Sequence, residues 1–147
     1  ELSGSISDSL NASLALIVSK GEDSNTGETI LSVGPDEAIF NINWMPTDNL
    51  RVDSYLTYRG SIGGSLEPSC GRSGCEARLE LDEIVTLDTY MSMDLSESLK
   101  LRFGIENITN EKFWSWPTVA GKNANDSNLD LLLEPGRSLR LSIRYEL

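Results

Sequence analysis

The sequence predicts an all-β fold of six antiparallel up-and-down strands belonging to a transmembrane β-barrel. Three observations predict it. Six stretches alternate apolar and polar residues with a period of two, which places one face of each strand in an apolar medium and the other in a polar one. The connections between them run long, short, long, short, long, so an up-and-down sheet carries every long loop at one end and every short turn at the other. The strands are about eight to twelve residues long, more than the usual five or six of soluble proteins and enough to cross a bilayer at a tilt.

The first strand, Leu10 to Val18, sets Leu10, Ala12, Leu14, Leu16 and Val18 against Asn11, Ser13 and Ser19. Residues 20–36 are rich in Gly, Ser, Asn, Thr and Asp and read as a long loop ending in Gly34-Pro35. The second strand, Glu37 to Trp44, has Ala38, Phe40, Ile42 and Trp44 on its apolar face; Ile39 is an apolar exception on the other. Met45-Pro46-Thr47-Asp48-Asn49 is a predicted turn. The third strand, Leu50 to Arg59, opposes Leu50, Val52, Leu56 and Tyr58 to Arg51, Asp53, Thr57 and Arg59. After a long connection from Gly60 to about Asp82, the fourth strand, roughly Ile84 to Leu95, opposes Val85, Leu87, Met91, Met93 and Leu95 to Thr86, Asp88, Ser92 and Asp94.

Ser96-Glu97-Ser98 is a short turn, and the fifth strand, Leu99 to Glu106, opposes Leu99, Leu101, Phe103 and Ile105 to Lys100, Arg102, Gly104 and Glu106. The third long connection, Asn107 to Pro135, leads into the sixth strand. There Leu139, Leu141, Ile143, Tyr145 and Leu147 alternate with Ser138, Arg140, Ser142, Arg144 and Glu146. A helix would point Leu139 and Leu141 to nearly opposite sides, so a strand is the better reading. Trp44 and Tyr145 fall near the short-turn rim of the apolar face and Tyr58 near the long-loop rim, the heights of the aromatic girdles of a membrane barrel.

Bulk properties narrow the function. A formal net charge of −11 without histidine excludes nucleic acid as a partner, because nothing basic is concentrated enough to meet a phosphate backbone. No run of eighteen apolar residues exists, so neither a transmembrane helix nor a signal peptide is expected. The start at Glu1 suggests a mature or cut piece of something longer. Cys70 and Cys75 lie in a polar, glycine-rich stretch and are expected to form a loop disulfide in an oxidising compartment. With no histidine, no metal site is expected around them. Residues 123–130 superficially resemble a calcium loop, but lack its glycine and most of its carboxylates. No nucleophile–base pair stands out, so the chain is not expected to be an enzyme.

Six strands cannot close a barrel, for which about eight is the practical minimum, and open edges are forbidden in lipid. The chain is therefore expected either to end a larger barrel or to share one with other copies as an oligomeric pore. A soluble β-sandwich shows the same alternation, and loop asymmetry and strand length weigh against it.

Two stretches carry a family resemblance. Gly104-Ile-Glu-Asn-Ile-Thr-Asn-Glu-Lys-Phe-Trp-Ser-Trp116 and Pro135-Gly-Arg-Ser-Leu-Arg-Leu-Ser-Ile-Arg-Tyr145 resemble the C-terminal end of a TonB-dependent outer-membrane receptor. Asn107-Ile108-Thr109-Asn110 with Lys112-Phe113 matches that family's penultimate-strand motif, and Pro135-Gly136-Arg137 opens its last strand. The passage from Ile30 to Ala38 also looks like one those receptors carry upstream. Leu147 stands where the family usually ends in Phe.

The resemblance implies that residues 1–147 are the C-terminal segment of a 22-stranded barrel. The N-terminal plug, the TonB box and the other strands lie outside this chain. It implies the outer membrane of a Gram-negative bacterium, a periplasmic C-terminus, and partners in the bilayer, the rest of the barrel and plug, and the TonB complex. Phe113-Trp114-Ser115-Trp116 resembles the haem and haemoglobin branch, implying import of haem or another iron source from an extracellular haem protein. A siderophore or other small iron chelate is the alternative. No cofactor is expected in the chain itself; haem or a ferric chelate is the transported ligand.

Trp114, Trp116, Arg72 and Arg78 are the candidate ligand contacts in the long loops, although Trp114 and Trp116 fit an aromatic girdle or a loop anchor better than a ligand platform. Asn107 and Thr109 are expected to cap the turn out of the fifth strand, Pro135 and Gly136 to steer the chain back into the sheet, and Arg137 to pair with an acidic side chain.

Overall fold

Period-two patterning makes strands, and pairing decides how many survive. The computed structural model describes residues 1–22, 24–25, 33–63, 69–71 and 74–146, with residues 69–71 described by backbone alone. Seven strands form one antiparallel sheet: β1 (Leu2–Ser7), β2 (Leu10–Ile17), β3 (Glu37–Thr47), β4 (Leu50–Arg59), β7 (Ile84–Ser96), β8 (Leu99–Glu106) and β9 (Ser138–Tyr145), each beside its predecessor. Between β4 and β7, β5 (Ser69–Gly71) and β6 (Gly74–Glu76) make a separate hairpin.

The expected count of six is corrected to seven. β1 alternates Leu2, Gly4 and Ile6 with serines, residues of low strand propensity, and is held by pairing from Leu2↔Leu14 to Ser7↔Leu10. The predicted turn at Met45–Asn49 is also shorter. β3 runs through Met45 and Pro46 to Thr47, with a register shift between Trp44 and Thr47 that accommodates the missing proline N–H. Ile30 to Ser32, within the passage that resembles an upstream receptor motif, and the terminal Leu147 lie outside the described residues.

The register keeps the alternating apolar positions on one side, with Ile39 the exception opposite Thr57. Leu10, Trp44, Val52, Met91, Phe103 and Leu141 form one cross-strand row, and Leu14, Phe40, Leu56 and Leu87 form another. Between them Ser54 and Thr89 meet hydroxyl to hydroxyl at 3.1 Å, so this polar pair on the apolar face satisfies itself. The face stays uncovered: Leu139, Leu141 and Ile143 are 66–69% exposed, and Trp44, Leu56 and Tyr58 are also exposed. A continuous apolar surface of this kind marks an interface or a membrane.

The opposite face is polar and cross-linked. Arg51 pairs with Asp53 at 2.8 Å, and Asn43 donates to the same carboxylate at 2.7 Å. Tyr90 packs edge-on to Tyr55 at 6.2 Å between ring centres and donates to Glu106 at 3.0 Å; Arg140 and Ser138 converge on Glu106 from β9. Gly104 lies between Tyr90 and Arg140 in register, and the Tyr90 ring covers its Cα. A Cβ there would stand 2.8 Å from the ring. Gly104→Ala should destabilise the protein by about 1–3 kcal/mol through overpacking, and by much less beside Tyr90→Ala. Equal costs in the two backgrounds of a double-mutant cycle would rule the ring contact out.

The turns Asp8-Ser9, Asp48-Asn49 and Glu97-Ser98 lie at one end of the sheet and the three long connections at the other. Among the described residues the buried apolar side chains, Leu81, Val119 and Leu129, all lie in the long connections.

Candidate functional site

The site is built where the β4–β7 and β8–β9 connections meet above the sheet. The foot of the β8–β9 connection is set by Asn107, which is buried and has φ of 51°. Asparagine tolerates this left-handed backbone better than most residues. Its Nδ2 donates to the carbonyls of Glu111 at 2.9 Å and Pro135 at 3.2 Å. Its Oδ1 accepts from Glu111 N–H at 3.0 Å and Thr109 Oγ1 at 3.1 Å. Asn110, with φ of 59°, accepts from Arg137 N–H at 3.0 Å, and a Cβ on Gly136 would press on that same Asn110 oxygen. Arg137 makes no pair with an acidic side chain among its described contacts: its guanidinium donates to the carbonyl of Ile108 at 2.6 Å and 3.1 Å. The turn from Asn107 to Asn110 turns that carbonyl toward Arg137, so the cation caps backbone.

Above this foot, Trp114 bridges to Leu133 and donates its indole N–H to the carbonyl of Leu129 at 2.8 Å. Pro117 at the start of α1 (Trp116–Val119) suits a helix beginning, where no amide donor is needed. Trp116 stands against Gly34, where a Cβ would lie 3.0 Å from its ring. Both tryptophans pack on the core of Leu81, Val119 and Leu129, together with Ile62, Leu79 and Leu132. Arg78 donates to the carbonyl of Gly121 at 2.8 Å and so faces the neighbouring loop. Asp126 accepts from the N–H of Asn128 and from Lys122 at 3.0 Å; these contacts hold its carboxyl below the usual range.

The structure thus gathers Trp114, Trp116 and Arg78 into one lobe and places Asn107, Thr109, Pro135, Gly136 and Arg137 at its foot. Arg72 lies outside the described residues. Cys75 is disulfide-bonded, with Cys70 directly opposite it in the β5–β6 register.

Pattern reading missed the polar-face groups under the lobe. Arg59 pairs with Glu37 and stacks on Phe113, 5.7 Å from the ring centre. Arg59 and Phe113, with Lys112, Glu80, Asp82, Trp114 and Trp116, line a cavity of about 70 Å³. The shared end position of Glu37 and Arg59 on adjacent strands was the available signal for that pair. At the short-turn end an open polar depression of about 790 Å³ is lined by Asp8, Asp48, Arg51, Asp53, Lys100 and Arg102. No helix is long and apolar enough to cross a membrane, which says nothing of a β-barrel, and no group of residues suited to a metal ion occurs among the described residues.

No protein-family model matches the chain, and no curated protein is significantly similar to it in sequence. Solved structures are similar in fold. The copper transporter OprC superposes with a TM-score of 0.77 at 13% identity, over 99% of this chain and 21% of its own. A ferric enterobactin receptor, PfeA of Pseudomonas aeruginosa, gives 0.69 at 20% identity, over 97% of this chain and 20% of its own. The siderophore receptor PiuA of Acinetobacter baumannii gives 0.59 at 14% identity over the same shares. The chain spans about a fifth of the length of these structures. Its seven-strand antiparallel sheet has the fold of a segment of their barrel wall.

Proposed function

We propose that this chain is the C-terminal wall segment and outer loops of a TonB-dependent transporter in the outer membrane of a Gram-negative bacterium. The observation that carries the reading is the sheet: one apolar face whose Ser54–Thr89 pair satisfies itself, one charged and hydrogen-bonded face, and a superposition of 0.77 on part of a transporter. In this reading the apolar face meets lipid and the polar face meets a plug domain lying outside this chain. The long connections face the exterior, and β9 ends at the periplasm. Up-and-down barrels with short periplasmic turns and long outer loops have this arrangement.

The cargo we infer is a chelated metal, with iron first. Ferric siderophore and haem are the two forms to separate. The likenesses to a ferric enterobactin receptor and a siderophore receptor favour the first. Phe113-Trp114-Ser115-Trp116 favours haem by sequence, but its tryptophans pack inside the lobe. They would shape a site from behind rather than touch the ligand directly. A strain lacking the gene should fail to grow under iron limitation on one of these sources and grow normally on the other. Normal growth on every chelate, haem and copper supply tested would overturn the reading.

A further inference from the structure

We infer that the described residues of the β4–β7 and β8–β9 connections form one cooperative unit, whose two halves lose their order together. Their crowns are joined by a two-way backbone bridge. Leu79 N–H donates to Lys122 C=O at 2.9 Å, and Ala124 N–H donates to Ala77 C=O at 2.9 Å, with Arg78 opposite Asn123 between them. Side chains repeat the latch in both directions: Arg78 reaches the Gly121 carbonyl at 2.8 Å, and Asn123 donates to Glu76 at 2.6 Å.

The core beneath is shared. Ile62, Leu79 and Leu81 come from one connection; Trp114, Trp116, Val119, Leu129 and Leu132 come from the other. Separating the two would uncover both sets and break both backbone bonds at once, so their opening equilibria are coupled. The β8–β9 foot, clamped by Asn107 and Arg137, keeps that loop in register while the crown responds. One cost opposes the latch. Arg78 Nε is buried without a hydrogen-bond partner, and opening would return it to water.

Amide exchange in the full protein, folded in detergent or nanodiscs, tests this. Val119→Ala truncates a β8–β9 residue of the shared core, and exchange at Leu79 and Leu81 on the other connection should rise at least tenfold. Leu81→Ala should do the same at Lys122 and Ala124, since coupling is reciprocal. Met91, inside the sheet, is the control for general unfolding. Asn123→Ala is the milder variant should either truncation disturb Met91. A rise confined to the substituted connection, or none in either, would overturn the inference.

Discussion

Phe103→Arg should destabilise the protein by about 2–4 kcal/mol in a bilayer or micelle, the known cost of a cation on the lipid face of a barrel near the midplane. Phe103 lies in the middle of β8, in the apolar row between Met91 and Leu141. Its neighbour Arg102 lies on the other face, opposite Ser92 and Ser142. Ser142→Arg, one residue from Leu141 but on the polar face and opposite Arg102, should cost no more than about 1 kcal/mol, the effect of like charges across a strand pair. The two substitutions bring the same charge to nearly the same height and differ chiefly in which face receives it. Folding titrations in denaturant from lipid vesicles measure both. Equal costs would defeat the assignment of the apolar face to lipid, the shared pore included, and reopen the sandwich alternative.

Asn107→Ala should be the costliest change in the long connections, about 2–4 kcal/mol of local stability. Two effects add. Alanine loses four side-chain contacts and leaves the Glu111 amide and the Pro135 and Glu111 carbonyls without this partner, at about 1 kcal/mol net for each bond that water does not replace. It must also hold φ at 51°, which costs an ordinary residue about 1–2 kcal/mol. Asn107→Gly suffers the first effect without the second, so it should recover about 1 kcal/mol relative to alanine. Limited proteolysis of the β8–β9 connection should rank wild type, glycine and alanine in that order of resistance. An alanine variant as resistant as wild type would show that the foot of the loop is held elsewhere.

The strands were legible because a strand facing two media must alternate. β4 and β8 have the bounds that pattern predicts, Leu50–Arg59 and Leu99–Glu106. β1 was not legible, since Gly and Ser carry no face preference and only β2 defines it. Likewise Pro46 reads locally as a turn, yet the bulge in β3 absorbs it. In the loops the motif residues announced themselves as turn formers, but the partner of Arg137 did not. A cation in a sequence advertises carboxylates, whereas the acceptor here is a backbone carbonyl exposed by the preceding turn.

By itself, then, the sequence determined two faces, two ends and the turn chemistry of the last long connection, all of which depend on residues within a few positions of one another. Tertiary structure alone decided the seventh strand, the covering of Gly104 by Tyr90, and the lobe that draws Arg78 to Gly121 across 43 residues. Such contacts depend on where distant backbone carbonyls and apolar side chains come to rest, which no local period encodes.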